Sequence, residues 1–345
     1  MNSEIEIDVN ALKIGVVGAG SWGTAIADHL GTKGFKIDLW AYEEEVKEQI
    51  LECRENKPFL PGIILSPNIT PHNDLEKVVR GKDIVLIVVP SHFMRGVAKE
   101  LSGFVSDRMI IVTASKGIEI GTHLTMTQVL SENLPHIPES CFAVISGPSF
   151  AREVAQRVPT VVTVASKSPE NARFLQHVFA SPLFRVYTSD DIIGVEIGGA
   201  VKNVIAIAAG VVDGQKTGLN TRAAMITRGL VEIRRLGLKL GANPHTFAGL
   251  SGVGDLLLTC TGNLSRNYTV GKQLGEGKSL SEILSEMRMV AEGVKTAKSV
   301  YNLSRKLGIE LPICNEIYHI LYEGRSPQEA GQRLMMRDLG PEIVE

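Results

Sequence analysis

Between Ile192 and Asp213 the chain reads IIGVEIGGAVKNVIAIAAGVVD. A helix this long and apolar on nearly every side has to be buried. Two full charges, Glu196 and Lys202, interrupt it before its end. A buried ammonium costs desolvation free energy, and its pKa falls towards neutrality. Steps of four give Gly194, Gly198, Lys202, Ala206 and Gly210, one face on which only the lysine is large. The face is expected to admit something flat against the backbone, with one ammonium aimed at it. The alternative is a lysine snorkelling at the rim of a packed helix.

A second cluster lies near the amino end. Gly18-Ala19-Gly20-Ser21-Trp22-Gly23 follows a strand-like run and opens a helix-like one. In that setting G-x-G-x-x-G fits a dinucleotide: Gly18 permits the tight turn, Gly20 lets a pyrophosphate approach, and Gly23 lets helix pack on strand. The helix N-terminus offers its free N–H groups to the phosphates. An acid near the end of the second strand should meet the adenosine ribose. Asp38 falls mid-strand, which leaves Glu43, twenty residues after Gly23. Glu43 fits the acidic surface run Glu43-Glu44-Glu45 as well. The nearest arginine that could take a 2′-phosphate is Arg54, so the residues lean towards NAD, while Tyr42 would tolerate NAD or NADP.

Three further strand-like runs end in small, polar or cationic residues: Val89-Pro90-Ser91-His92, Ser115-Lys116-Gly117, and Ser146-Gly147-Pro148-Ser149-Phe150-Ala151. Ligands bind at such carboxyl ends, so these segments are expected to share a rim, although His92 alone fits a structural role and Lys116 alone a solvated surface. Later, Asp255 and Thr259 stand one turn apart on one helix face. Asp255 could cap that helix, hold Lys202, or accept a bond from a substrate hydroxyl. Ser265-Arg266-Asn267 precedes a helical run over Tyr268–Leu274. An arginine beside a helix N-terminus suits a phosphate or carboxylate, or is simply exposed beside an ordinary cap.

These residues need a scaffold, and the chain supplies two kinds. Lys13–Val17, Lys36–Trp40, Ile84–Val89, Met109–Ala114 and Cys141–Ser146 are short apolar runs that read as buried parallel strands, with Thr160–Ala165 and Phe184–Tyr187 added. Trp22–Lys33 lies between the first two. The alternation predicts an α/β domain over residues 1–189, a doubly wound, mostly parallel sheet. Strand patterns then stop, and an all-helical domain is expected over residues 190–345. Ser279-Leu280-Ser281-Glu282 and Ser326-Pro327-Gln328-Glu329 fit capping boxes, and helices near Val294–Leu307 and Ile313–Glu323 stop at Gly308 and Gly324. The Ile192 helix falls at the junction, where clefts form.

The 345 residues suffice for two domains. With 44% apolar residues and a net charge of −2, nothing calls for nucleic acid or an acidic membrane. Cys53, Cys141, Cys260 and Cys314 are far apart and form no C-x-x-C pair, which argues for reduced thiols in a cytoplasmic protein and against a zinc site. The first residues, MNSEIEIDVNAL, lack a secretory signal. Uninterrupted apolar runs such as Ile84–Val89 are short, and none reaches membrane-spanning length. The G-x-x-x-G spacing at Gly194 and Gly198 permits close packing, in a homodimer or around a ligand.

GAGSWGTA, VPSH, SKGIE, SGPSFA, GGAVKN, GDLLLTC and SRN occur in this order from Gly18 onward. Together they resemble the NAD(P)-dependent glycerol-3-phosphate dehydrogenase family, more its bacterial than its animal members. The likeness runs to about Gly324 and includes Asn56 with Phe59-Leu60-Pro61, and Val290 with Glu292. It implies hydride exchange between a nicotinamide and the pair sn-glycerol 3-phosphate and dihydroxyacetone phosphate, supplying glycerol 3-phosphate for glycerophospholipids. It implies Lys202 as the acid–base residue, with Lys116, Gly147, Asn203, Asp255, Thr259, Ser265, Arg266 and Asn267 at the substrate. Gly18, Gly20, Ser21, Trp22, Gly23, Tyr42, Glu43, Lys116, Ser149, Ala151, Arg266, Val290 and Glu292 would border NAD or NADP. A related hydroxy-acid dehydrogenase would lack GDLLLTC and SRN at these places. A non-catalytic NAD(H) sensor would have no need of Lys202.

Overall fold

Runs such as Ile14–Val17 and Ile84–Ile87 are apolar at every position and buried on both faces, as strands covered by helices on both sides must be. The computed structural model describes residues 8–287 and 291–342. Its strands are β1 (Ile14–Val17), β2 (Ile37–Trp40), β3 (Ile69–His72), β4 (Ile84–Ile87), β5 (Ile110–Thr113), β6 (Phe142–Ser146), β7 (Thr160–Ser166) and β8 (Phe184–Ser189). They form one sheet in the order β3-β2-β1-β4-β5-β6-β7-β8. Ile14 lies level with Ile37 on one side and with Ile84 on the other. Neighbours are parallel except β6 and β7, where Val144 faces Ala165 in an antiparallel pair. Between strands run α1 (Ser21–Thr32), α2 (Glu44–Cys53), α3 (Leu75–Val79), α4 (Met94–Leu101), α5 (Met126–Asn133), α6 (Ala151–Ala155) and α7 (Pro169–Phe179). The doubly wound, mostly parallel sheet is the one the sequence predicts, apart from β3. Thr70 and Pro71 hide that strand, and Pro71 is tolerated because β3 lies at the sheet's edge.

After Ser189 the described residues contain helices only: α8 (Ile192–Gly214), α9 (Leu219–Lys239), α10 (Asp255–Thr261), α11 (Arg266–Gly275), α12 (Leu280–Glu286), α13 (Glu292–Leu307), α14 (Pro312–Tyr322) and α15 (Pro327–Met335), with short irregular turns between α9 and α10. Ser279 and Glu282 form the expected capping box. At α15 only half of one exists: Ser326 accepts from Glu329 N, while the Glu329 carboxylate turns to Arg333. Gly308 ends α13 in the left-handed conformation.

α8 is the axis of this half. Every residue in it except Ile193 and Asp213 is buried. With a mean hydropathy of 1.7 it is, by length and composition, apolar enough to cross a membrane. Glu196 and Lys202 break its apolar runs without making it polar overall, and here it lies inside the protein. Its glycine face is also not open. A Cβ on Gly198 would stand 2.3 Å from the Ser251 carbonyl oxygen, and one on Gly210 2.1 Å from that of Tyr268. Backbone from the turn before α10 and from α11 fills the face expected to admit a flat ligand. Small residues served close helix packing there.

Candidate active site

Lys202 sits on α8 with its side chain 8% exposed. Its Nζ donates to Asp255 Oδ1 at 2.5 Å and to Thr259 Oγ1 at 2.7 Å. Thr259 Oγ1 in turn donates to the Asp255 carbonyl at 2.6 Å, so one turn of α10 orients both partners. Asp255 does not cap α10, whose N-cap is Gly254. Its second oxygen accepts from Lys116 Nζ at 2.6 Å. Two ammonium groups therefore share one buried carboxylate. Desolvation lowers the Lys202 pKa to about 8, with Asp255 opposing the shift and Lys116 adding to it. This is no snorkelling lysine, because its charged end is held inside. Lys116 arrives from the carboxyl end of β5 and its side chain remains partly exposed. Its stem crosses α8 at Gly199, where a Cβ would lie 3.6 Å from Lys116 Cγ.

The glycine loop joins β1 to α1 at the same edge of the sheet. Gly18 has φ +116°, and a Cβ on it would meet the Val88 carbonyl oxygen at 2.5 Å; only glycine fits there. A Cβ on Gly23 would stand 1.9 Å from the Gly18 carbonyl oxygen, which sets how closely α1 approaches the turn. Gly20 differs: a Cβ there would meet nothing within 4 Å. Gly20 also caps α1 without a side-chain bond. Open space in front of an uncapped helix N-terminus fits a pyrophosphate. Ser21 and Trp22 are the first residues of α1. Trp22 Nε1 donates to the Ser149 carbonyl at 2.9 Å, and Ser149 Oγ donates to the Gly147 carbonyl at 3.0 Å. The turn after β6, where Gly147 has φ +145°, is thereby tied to the glycine loop, and Ala151 starts α6 beyond it. Asn56, buried, donates from Nδ2 to the Ala19 carbonyl and to Thr24 Oγ1, each at 2.8 Å, and so supports the loop from behind.

Tyr42 and Glu43 follow β2, next to the loop, since Gly18 N donates to the Trp40 carbonyl at 3.2 Å. Tyr42 is 77% exposed with its ring edge against Trp40. Glu43 is the N-cap of α2 and makes no side-chain cap bond, whereas Asp38 is engaged by His72 and Lys82.

On the helical side, Ser265 accepts from Tyr268 N as the cap of α11. Asn267 Oδ1 accepts from Gly293 N at 2.9 Å. Asn203 follows Lys202 and is buried, with its carbonyl oxygen 2.6 Å from where a Cβ on Gly293 would be. Arg266 starts α11 and makes no side-chain hydrogen bond among the described residues. Its surroundings desolvate it and push its pKa down, against the pull of Glu292, and it remains charged. Glu292 accepts from Ser91 Oγ at 2.6 Å, and burial raises its pKa. Val290 lies outside the described residues. At the strand end expected to present His92, that ring is exposed against Phe93, 4.0 Å between centroids. Ser91 faces the site instead. Nothing in the sequence pointed to the Ser91–Glu292 contact, while Ser146, one of the strand-end residues expected at the rim, has a buried Oγ without a partner among the described residues, 2.8 Å from where a Cβ on Gly199 would be.

Both halves of the chain, the one with the glycine loop and the one with Lys202, have counterparts among known proteins. Residues 13–172 match the family described as NAD-dependent glycerol-3-phosphate dehydrogenase N-terminus, and residues 191–332 the family described as its C-terminus. A glycerol-3-phosphate dehydrogenase [NAD(P)+] of Syntrophobacter fumaroxidans is 54% identical over 330 residues, 96% of this chain and 97% of that one. One of Geobacter sulfurreducens is also 54% identical, over 96% of this chain and 98% of its own. The crystal structure of glycerol-3-phosphate dehydrogenase from Coxiella burnetii superposes with a TM-score of 0.91 at 40% identity, covering 94% of this chain and 99% of that one. With both halves matched and a relative 54% identical over nearly the whole chain, the chain belongs to the NAD-dependent glycerol-3-phosphate dehydrogenase family.

Proposed function

We propose that this chain interconverts dihydroxyacetone phosphate and sn-glycerol 3-phosphate with NAD(P), and so supplies glycerol 3-phosphate for glycerophospholipid synthesis in the cytoplasm. The observation that carries the reading is the Lys202 ammonium held by Asp255 and Thr259 beside Lys116. The bound nicotinamide supplies the hydride. Reduction builds negative charge on the carbonyl oxygen of the substrate, and a positioned cation that can also give a proton answers both needs. An ammonium has three donors. Two of those on Lys202 go to Asp255 and Thr259, and the third is left for the substrate oxygen. Lys116 spends one donor on Asp255 and turns the others to the substrate. Arg266, with the N–H groups at the start of α11, takes the phosphate. In oxidation the neutral Lys202 amine accepts the hydroxyl proton.

Residues 1–189 would hold the cofactor and residues 190–345 the substrate. Tyr42 and Glu43 flank the adenosine end, and Gly147, Ser149 and Ala151 border the nicotinamide. The test is absorbance at 340 nm with dihydroxyacetone phosphate and NADH or NADPH. Oxidation of the reduced cofactor is expected, and binding without turnover would overturn the reading. Comparing the two cofactors gives the preference, for which NAD is the expectation.

A further inference from the structure

We infer that Glu196 is a positioning residue for Lys116, pinning the segment that carries this lysine against α8. The inference rests on the reaction proposed above. Residues 114–125 leave the carboxyl end of β5, carry Lys116 near their start and end at Thr125, the N-cap of α5. Within the segment, backbone pairing consists of the bridge between Ile118 and Thr125 and the bonds from Glu119 N to the Leu124 carbonyl and from His123 N to the Glu119 carbonyl, while Ser115 Oγ donates to the Val89 carbonyl at 2.6 Å and Arg95 of α4 pairs with Glu119. These contacts tie the segment to itself and to the sheet half, and none of them reaches α8. Two stitches from the helical half hold it. Glu196 accepts from Thr127 N at 2.8 Å and from Thr127 Oγ1 at 2.5 Å. Ser299 of α13 donates to the Ile118 carbonyl at 2.8 Å.

The spacing on α8 ties the first stitch to the chemistry. Glu196, Gly199 and Lys202 recur every three residues and lie within about 9 Å along the axis. Glu196 holds the far end of the segment, Gly199 leaves the notch that the Lys116 stem crosses, and Lys202 shares Asp255 with Lys116. A carboxylate at the start of α5 is favourably placed. It is nonetheless almost wholly buried, and desolvation raises its pKa. Burying a carboxylate with no counter-ion is costly. The proton chemistry makes no use of Glu196, so its work is placement.

The test compares the parent with Glu196→Ala, Glu196→Gln, Thr127→Val, Lys116→Met and the Glu196→Ala/Lys116→Met double variant. Each is assayed for reduction of dihydroxyacetone phosphate, for NADH binding and for amide hydrogen exchange in residues 114–125. Glu196→Ala is expected to lower kcat/KM about 10- to 100-fold with NADH affinity unchanged, since small misplacements of a substrate-holding group are felt at this scale. Glu196→Gln, which keeps one acceptor for Thr127 N, recovers most of the loss. In the Lys116→Met background the same change costs less than about threefold, because residues acting as one unit are not additive. Exchange in 114–125 quickens in Glu196→Ala and Thr127→Val. Parent activity in Glu196→Ala, a full additional loss in the Lys116→Met background, or unaltered exchange overturns the inference. A parent that never turns over dihydroxyacetone phosphate sinks the proposed reaction, and the exchange measurement alone then judges the pin. Should Glu196→Ala not fold, Thr127→Val, which removes one hydroxyl, carries both readouts.

Discussion

Two lysines on one carboxylate make Asp255 the residue on which the others depend. Without it Lys202 and Lys116 would repel each other in a buried setting, and one would lose its proton. Lys202→Ala should lower kcat by about 10²- to 10⁴-fold, the usual worth of a positioned acid–base group, while NADH titration by fluorescence stays near the parent curve. A loss under tenfold with chemistry still rate-limiting would end the acid–base assignment. The pKa of about 8 at Lys202 gives a pH profile. Reduction needs the ammonium, so its rate is full below that value and falls as pH rises through it; oxidation needs the amine and runs the other way. The charged neighbours are Asp255, which raises the value, and Lys116, which lowers it. The Cys260 thiol, pushed up to about 12, stays neutral. Lys116→Met should therefore move the alkaline limb upward, and an unmoved limb would assign it to another group. Arg266→Ala should cut kcat/KM for dihydroxyacetone phosphate about ten- to a hundred-fold and barely alter that for unphosphorylated dihydroxyacetone; equal losses would place Arg266 in the fold. Lys202 was legible because the one large, charged residue on a face of small ones needs a reason. The Ser91–Glu292 contact was not, since its members lie 201 residues apart and each is an ordinary surface residue type on its own.

At the scale of elements, what matters is how close backbones come. α8 and α11 touch where Gly210 lies, and α8 meets the turn before α10 at Gly198. Gly210→Ala should destabilise the protein by about 1–3 kcal/mol, the usual cost of overpacking, read as a lower thermal midpoint; an unchanged midpoint would mean that α11 can move away freely. Gly20→Val acts differently. Its side chain would enter open space, so the thermal midpoint should hold while dinucleotide binding is lost; a folded variant that binds NADH normally would show that the loop has another use. Both glycines belong to patterns visible in the sequence, yet the patterns carried different meanings. The loop at Gly18 to Gly23 comes with a flanking strand and helix that fix its use. Small residues every four positions on α8 say only that something comes close, and here it is protein. β3 went unread for a related reason: edge strands face solvent on one side and need no apolar run.

At the scale of the molecule, the two halves are joined through the interior rather than by a linker. Ile192 and Val195 of α8 form one buried cluster with Val144 of β6 and Ala165 of β7. Both tryptophans, Trp22 and Trp40, lie in the sheet half, whereas far-UV ellipticity reports mostly helices. Urea unfolding followed by the two probes should give coincident transitions, and separated ones would show that the halves unfold independently. The change of strand direction at β7 has a geometric consequence. Because β7 and β8 run against β6, the chain leaves β8 at the edge of the sheet opposite the glycine loop. α8 must then climb the height of the sheet to deliver Lys202 to the other edge. Gly199 lies against Ser146, the last residue of β6, so the seven residues from Ile192, about 10 Å of helix rise, bring α8 to that edge, and Lys202 stands about 4.5 Å beyond. The helix serves as a ruler cut to the sheet. One residue inserted between Ile192 and Gly198 would turn the ammonium by about 100° and lift it about 1.5 Å, so this stretch of the chain has a length that evolution can change only together with the strands beside it.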